Sequence, residues 1–291
     1  MRDRSTRGVR IRAGKVKIKP KLLGSVGKED RLASGLAVSA LALLAGFISL
    51  PLLSLVLWTV SEGSWRAMAS PVALDALLLS ARTTAFTMTI IFVVGTPAAF
   101  VLARAEFPGK RVVNTLVDIP AVLPPSAAGI ALLLAFGRMG LLGEYLRVFG
   151  IQISFTTAAV VMAELFVASH FYVRQAAVGF ERIDRDVEAA ALVDGASRAK
   201  VFSKITIPLA FPALVAGAVT SWARALGEFG GTIIFAGSFQ GVTQTMPLAI
   251  YGTLESDFDA AVALSVLVLG FSFVIILAAR FFTRRIEERA G

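Results

Sequence analysis

Long apolar runs separated by short polar segments are the main pattern of this sequence. A helix needs about 20 apolar residues to cross the hydrocarbon core of a bilayer. Six runs reach this length, and they predict transmembrane helices over residues 32–60, 77–102, 112–136, 155–180, 209–236 and 260–282. The pattern therefore predicts an all-α membrane protein with six transmembrane helices in one domain, residues 32–291, which follows a basic tail, residues 1–31.

The third predicted span contains a proline pair, Pro124 and Pro125, which removes two backbone N–H donors from the helical ladder. The carbonyl groups freed in this way have to face protein or water. A helix that restarts at Ser126 would direct its N-terminus toward the middle of the membrane, where such an end favours anions. Pro124, Pro125 and Ser126 are therefore candidates for a translocation path, and a plain packing kink is the alternative.

Charged residues inside the predicted spans are a second sign of function, because an unpaired charge in a bilayer is costly. Arg224 and Glu228 of the fifth span are four positions apart, which places them on one face of a helix. They form either a neutral structural pair or part of a gate in which Arg224 borders the path. Glu164 and His170 of the fourth span occupy different faces, and His170 fits an interhelical polar contact better than a proton relay.

The charges between the spans predict the orientation in the membrane, because cytoplasmic segments carry an excess of Lys and Arg. Residues 1–31 contain eleven of the 29 Lys and Arg residues. Segments 104–111, 181–208 and 283–291 each contain three or more, whereas segment 237–259 on the opposite side contains none. Both termini and segment 181–208 are therefore predicted to be cytoplasmic.

The composition excludes several classes of function. The chain is 56% hydrophobic and 17% charged, whereas soluble domains are about 25% charged. It has no cysteine and one histidine, so thiol chemistry is excluded and no metal site is expected. No P-loop motif and no catalytic cluster occurs, so we expect no ATP hydrolysis by this chain. The basic tail has no aromatic residue before Phe47 to stack on a base, which favours lipid headgroups over nucleic acid.

Segment 181–208 contains the most specific motif, EAAALVDGASRAKVFSKITIP, which begins at Glu188 and ends at Pro208. It resembles the signature loop E-A-A-x3-G-x9-I-x-L-P of permease subunits of binding-protein-dependent ABC importers, with the acid one position early and Ile207 in place of Leu. In that family the loop inserts a short helix into the ATPase subunit and transmits its closure. The resemblance implies an ATPase-coupling role for Glu188, Ala189, Ala190, Asp194, Gly195, Arg198, Ile205 and Pro208.

Three further segments are similar to molybdate and tungstate permeases, and in weaker form to sulfate and thiosulfate permeases. They read DIPAVLPPS over residues 118–126, FGRMGLLG over 136–143 and WARALGEFGGTIIFAGSFQGVTQTMPLAIY over 222–251. The resemblance implies a type I importer-like permease of the inner membrane that imports molybdate or tungstate. It also implies a homodimer, an extracytoplasmic binding protein and two ATPase subunits, which would bind the ATP and Mg²⁺. The alternatives are a sulfate permease, usually a heterodimer, and a secondary transporter that works without ATP.

The last predicted outer segment, residues 237–259, is rich in Gly, Ser, Thr and Gln and ends in three acidic residues. Its position on the extracytoplasmic side makes it a candidate docking surface for a binding protein. The residues that we expect to take part are Gln240, Thr243, Gln244 and Tyr251. A solvated loop without a partner is the alternative.

Overall fold

The computed structural model describes residues 28–290, and side chains from residue 34 to residue 281. Over this part the chain is helical and contains no strand. It divides into two compact units, Met1–Leu53 and Ser54–Gly291. Of the first unit the structure describes residues 28–53, so most of the predicted basic tail lies outside the described residues.

The described residues form thirteen α-helices. The first seven are α1 (Lys28–Ser61), α2 (Pro71–Ile90), α3 (Thr96–Arg104), α4 (Lys110–Val122), α5 (Pro125–Phe136), α6 (Gly143–Val148) and α7 (Thr157–Glu181). The others are α8 (Arg185–Val193), α9 (Arg198–Val201), α10 (Ile207–Leu226), α11 (Gly230–Phe235), α12 (Met246–Leu254) and α13 (Phe258–Ala290). A 3₁₀ helix, Ser64–Ala69, precedes α2, and π-helical turns at Ile91–Gly95 and Phe202–Thr206 join α2 to α3 and α9 to α10.

Helix α7 lies at the centre of the second unit, where α2, α3, α4, α5, α10 and α11 all pack against it. Small residues allow the closest of these contacts, as is common between helices in membranes. The α-carbon of Gly179 faces Ala213 of α10, and a Cβ at Gly217 would lie 3.0 Å from the Cβ of Gln175. Because other helices surround α7, its polar side chains find protein partners instead of lipid.

Four helical stretches are long and apolar enough to cross a membrane: Ser34–Ser61, Pro71–Arg104, Arg198–Leu226 and Phe258–Phe281. The bent pair α4 and α5 would be a fifth. Helix α7 covers the predicted fourth span and is not among them, which fits its enclosed position and its charged residues. The six-span count therefore stays a prediction, as does the cytoplasmic location of the termini.

The third predicted span is broken where its prolines indicate. Helix α4 ends at Val122, α5 begins at Pro125, and the two axes are bent by 119°. The new helix starts one residue before the predicted Ser126, because proline suits the first turn of a helix, where its missing N–H has no partner to lose.

The fifth predicted span, residues 209–236, was predicted as one helix, and this is wrong. Helix α10 ends at Leu226, and the separate helix α11 starts at Gly230. The glycine-rich stretch between them looks apolar in sequence but has little preference for a helix. Neither Pro208 nor Pro212 interrupts α10: Pro208 lies in its first turn, and Pro212 lies exposed inside it.

The predicted outer segment 237–259 is not a plain loop, because it contains α12 (Met246–Leu254). Helix α12 packs on α2 and α13 through a small apolar cluster that includes Met246, Ala249 and Leu264. The backbone N–H of Met246 donates to the buried Ser80 hydroxyl at 2.8 Å. This segment is therefore anchored to the helical body, and only part of it is exposed.

Candidate functional site

The two broken helical segments meet at their breaks. A Cβ at Gly230, the first residue of α11, would lie 2.6 Å from the Cβ of Pro125, the first residue of α5. One turn further along, a Cβ at Gly129 would lie 2.9 Å from the Gly231 carbonyl oxygen. These distances leave no room for a side chain, so glycine is required for this contact. The structure thus brings the Pro124–Ser126 candidates to the segment that follows Arg224 and Glu228.

Glu228 joins this contact to the end of α10. Its carboxylate is buried, and Oε1 accepts a hydrogen bond from the Gly231 N–H at 2.7 Å. Arg224 Nη2 lies 2.8 Å from Oε2. The two groups form an ion pair, but Oε2 accepts no hydrogen bond from the described residues. The Arg224 side chain is 28% exposed and that of Glu228 is 0% exposed. Glu228 lies beyond the end of α10, so the prediction that both residues share one helix face is wrong, although the pair forms.

Glu164 of α7 forms a second buried polar cluster with two threonines of α2. Its two carboxylate oxygens accept hydrogen bonds from Thr83 and Thr87 of α2, each at 2.8 Å. The side chain is buried and has no cationic partner among the described residues. The hydroxyl group of Thr232 is also buried, without a hydrogen-bond partner in the described chain. Buried polar groups of α2 and α7 therefore satisfy each other, and Thr232 of α11 adds a further buried hydroxyl group.

Arg174 and Asp118 form an ion pair that the sequence analysis missed. Arg174 Nε and Nη2 donate to the two Asp118 oxygens at 2.6 and 2.7 Å, and Nη1 donates to Asn114 Oδ1 at 3.0 Å. His170 Nδ1 lies 3.0 Å from the Val117 carbonyl oxygen, the interhelical contact that its position suggested. These bonds attach α4 to α7. The sequence did contain a signal for this pair, because Asp118 lies in the third predicted span and Arg174 in the fourth. Opposite charges inside a membrane domain tend to pair with each other.

The signature segment forms two short helices joined by a tight turn. Asp184 caps α8, Ser197 caps α9, and Gly195 between them has a φ of 85°, in the left-handed region that favours glycine. The remaining predicted residues present an exposed surface, apart from Ile205, which is half-buried. The exposed ones are Ala189, Ala190, Asp194, Gly195, Arg198 and Pro208.

Glu188, the displaced acid of the motif, contacts its own chain. Its Oε2 lies 3.3 Å from Nη2 of Arg104 at the end of α3, and its Oε1 accepts a hydrogen bond from Thr206 at 2.6 Å. The same Arg104 Nη2 donates to the Ile183 carbonyl oxygen at 3.0 Å. Glu188 therefore connects α8 to α3 and to the π-helical turn that leads into α10.

The predicted docking residues lie in three different environments. Gln240 is exposed and donates to Asp75 Oδ2 at 3.1 Å, and Tyr251 is exposed on α12. Gln244 is half-buried. Thr243 is buried, and its hydroxyl accepts a hydrogen bond from the Phe239 N–H at 3.0 Å, so it holds the turn. No group of three metal-ligating side chains occurs in the described part of the chain.

Comparison with known proteins gives consistent matches. Residues 91–288 match the family model for the "binding-protein-dependent transport system inner membrane component". The molybdenum transport system permease protein ModB of Mycobacterium tuberculosis is 42% identical over 231 residues, covering 79% of this chain and 88% of the relative. A probable sulfate transport system permease protein of Chlorokybus atmophyticus is 32% identical over 218 residues, covering 75% and 76%.

Among solved structures, the chain resembles a bacterial ABC transporter involved in the import of the acidic polysaccharide alginate. The TM-score is 0.69 at 17% identity, over 89% of this chain and 97% of the other. At this identity the likeness concerns the fold alone.

Proposed function

The chain belongs to the family of inner membrane components of binding-protein-dependent transport systems, and from this premise we propose that it is the transmembrane subunit of an ATP-driven importer of molybdate or tungstate. The observation that carries the proposal is the partly exposed Arg224 at the meeting point of two broken helices. Its charge is neutralised by the buried Glu228 carboxylate, and it remains accessible to an anion. The match to a molybdenum permease supports the substrate.

The contact between α5 and α11 acts as the gate. A helix that begins inside a membrane domain presents unpaired N–H groups that favour anions. Pro124, Pro125 and Ser126 are exposed at such a beginning. Because Arg224 is already paired, the site attracts an oxyanion without holding it tightly, and weak sites are what conduction requires.

Helix α10 connects this gate to the signature segment. It is 20 residues long, or about 30 Å at 1.5 Å per residue. Thr206, which is bonded to Glu188, precedes its first residue, and Arg224 lies in its last turn. A displacement of α8 by an ATPase subunit would therefore reach the gate through one rigid helix and through α3. The sequence contains no P-loop motif, and we assign ATP hydrolysis to the partner subunit.

The complete importer contains two copies of this chain, two ATPase subunits that bind ATP and Mg²⁺, and an extracytoplasmic binding protein. The exposed surface of α8 and α9 contacts the ATPase. Gln240 and Tyr251, the two exposed docking candidates, contact the binding protein together with the partly exposed Gln244. The sulfate permease alternative has the weaker support, because the sulfate relative is 32% identical and the molybdenum relative 42%.

The test is ATPase activity of the importer in liposomes, with the binding protein present and the anion varied. Stimulation by molybdate or tungstate, and none by sulfate, is the expected result. Stimulation by sulfate alone would assign the chain to the sulfate permeases. Anion uptake that persists after removal of the ATPase subunit would identify a secondary transporter.

A further inference from the structure

A small cavity with two arginines lies at the end of α5 opposite the proline pair. Its volume is about 180 Å³, and Arg138, Arg147, Gln152 and Ser154 line it together with glycine and apolar residues. Pockets for drug-sized ligands begin at roughly 300 Å³. The cavity is therefore of a size for a small ion and its water, and too small for a folded segment of another protein.

No described side chain compensates the charge of the cavity, whose two arginines are exposed. Neither guanidinium group forms an ion pair or a hydrogen bond within the described part of the chain. None of the lining residues is acidic, and Glu144, the acid closest in sequence, does not line the cavity. Arginine forks match the oxygen atoms of oxyanions in pairs. Two guanidinium groups at one cavity, neither with a partner in the described chain, favour a dianion.

The cavity lies at the far end of α7 from the signature segment. Ser154 is near the first residue of α7, and the signature segment follows its last residue. The helix has 25 residues, which is about 37 Å. The cavity is therefore on the predicted extracytoplasmic side, where arginines are under-represented. An anion to be bound explains their presence there.

Helices α5 and α11 connect the cavity to the gate. Phe136, the last residue of α5, lines the cavity, and Pro125, the first, contacts Gly230. The 12 residues of α5 correspond to about 18 Å. The loop that follows the cavity is bonded to the end of α11 by the Phe155 N–H, which donates to the Phe235 carbonyl oxygen at 3.2 Å.

We propose that this cavity binds a tetrahedral oxyanion between Arg138 and Arg147 on the extracytoplasmic side, as a receiving site ahead of the gate. The identity of the free ion rests on the proposed function. A free dianion and the phosphate of a lipid headgroup would both bind the two arginines through negatively charged oxygen atoms. The experiment below distinguishes between these two ligands. An acidic side chain of the binding protein belongs to a different class and is an outcome that contradicts the proposal.

Arginine modification by phenylglyoxal, followed residue by residue by mass spectrometry, tests the site in the assembled importer without its binding protein. The reaction is run in lipid-free detergent and a buffer without borate or phosphate, with sodium tungstate or sodium chloride at equal ionic strength. At a tungstate concentration about four times the dissociation constant, modification should slow about fivefold, because it scales as 1 + [L]/Kd. Arg138 and Arg147 should respond at the same concentration.

Arg66 is the internal control, because it lies in the 3₁₀ helix on the same predicted side, against the Trp65 ring at 5.5 Å and outside the cavity. Its modification should not change. The variant Arg138→Gln should remove the protection of Arg147, since one ion is shared. In liposomes with anionic lipid and no tungstate, protection of both residues would assign the site to lipid phosphate instead of the free ion.

Equal modification in tungstate and chloride, or protection that requires the binding protein, would overturn the proposal. Such a result in an importer whose ATPase still responds to molybdate would leave the proposed function standing. The reverse result is protection of the two arginines by tungstate in an importer whose ATPase is stimulated by sulfate alone. That result would support the anion site and contradict the proposed substrate.

Discussion

Glu188 Oε2 lies 3.3 Å from Arg104 Nη2, so the acid of the signature segment is paired with the body of its own chain. Both side chains are largely enclosed, at 17% and 13% exposure. The shifted position of Glu188 in the motif therefore has a structural explanation, because the side chain connects α8 to α3. Its hydrogen bond from Thr206 also connects α8 to the beginning of α10. We expect these two contacts to transmit motion of the exposed surface of α8 to α3 and α10.

We expect Glu188→Gln to weaken coupling without abolishing ATPase association. The substitution removes the charge opposite Arg104, and hydrogen bonds to charged groups contribute about 1.5–3 kcal/mol. ATP hydrolysis by the complex should continue, and the number of anions transported per ATP should fall. Asp186→Asn is the control, because Asp186 is exposed on the same helix and its side chain makes no comparable contact. An unchanged transport ratio in Glu188→Gln would show that the tie is not used.

Arg224→Ala tests the ion pair at the proposed gate. The change leaves the buried Glu228 carboxylate without its cation, and breaking a buried pair from one side costs about 3–5 kcal/mol. Because Arg224 is 28% exposed, we expect the lower end of this range, about 3 kcal/mol. Yield and melting temperature of the purified chain should both fall.

The double variant Arg224→Ala with Glu228→Gln separates stability from transport. Without either charge the fold should recover, because the amide oxygen introduced by Glu228→Gln can still accept the hydrogen bond from the Gly231 N–H. Uptake should stay low if Arg224 attracts the anion. Recovery of uptake together with stability would show that the pair is structural only.

The sequence was sufficient for features that depend on local chemistry. The break between α4 and α5 falls at the adjacent prolines Pro124 and Pro125, whereas a single proline such as Pro212 is accommodated inside a helix. The caps Asp184 and Ser197 and the left-handed Gly195 are local signals of the same kind in the signature segment, although the two caps were not among our predictions. These signals act within a few residues, so no tertiary structure is needed to read them.

Contacts between distant residues could not be predicted from hydropathy. Arg174 and Asp118 are 56 positions apart, and Glu164 is 81 positions from Thr83. A hydropathy pattern shows that each charge lies in a span but not which helices become neighbours. The break after Leu226 was missed for a related reason, since the glycines that permit the contact with α5 are counted as part of an apolar run.

We expect Gly230→Ala to separate the two broken helices. The new methyl group would lie 2.6 Å from the Pro125 Cβ, and overpacking of this kind costs about 1–3 kcal/mol. Melting temperature and uptake should both decrease. Gly227→Ala is the matched control in the same stretch, since its Cβ would meet its nearest atom, the Ala223 carbonyl oxygen, at 3.4 Å. Equal effects of the two variants would mean that the α5–α11 contact is not required.

Gly195→Pro tests whether the turn of the signature segment is the ATPase contact. Proline fixes φ near about −65°, whereas Gly195 has a φ of 85°, so α8 and α9 can no longer keep their arrangement. The permease should still insert in the membrane but lose co-purification with the ATPase. Gly63→Pro imposes comparable strain, because Gly63 has a φ of 65°, and Gly63 lies on the predicted extracytoplasmic side. Association lost in both variants would indicate general misfolding, and association kept in Gly195→Pro would place the ATPase contact elsewhere.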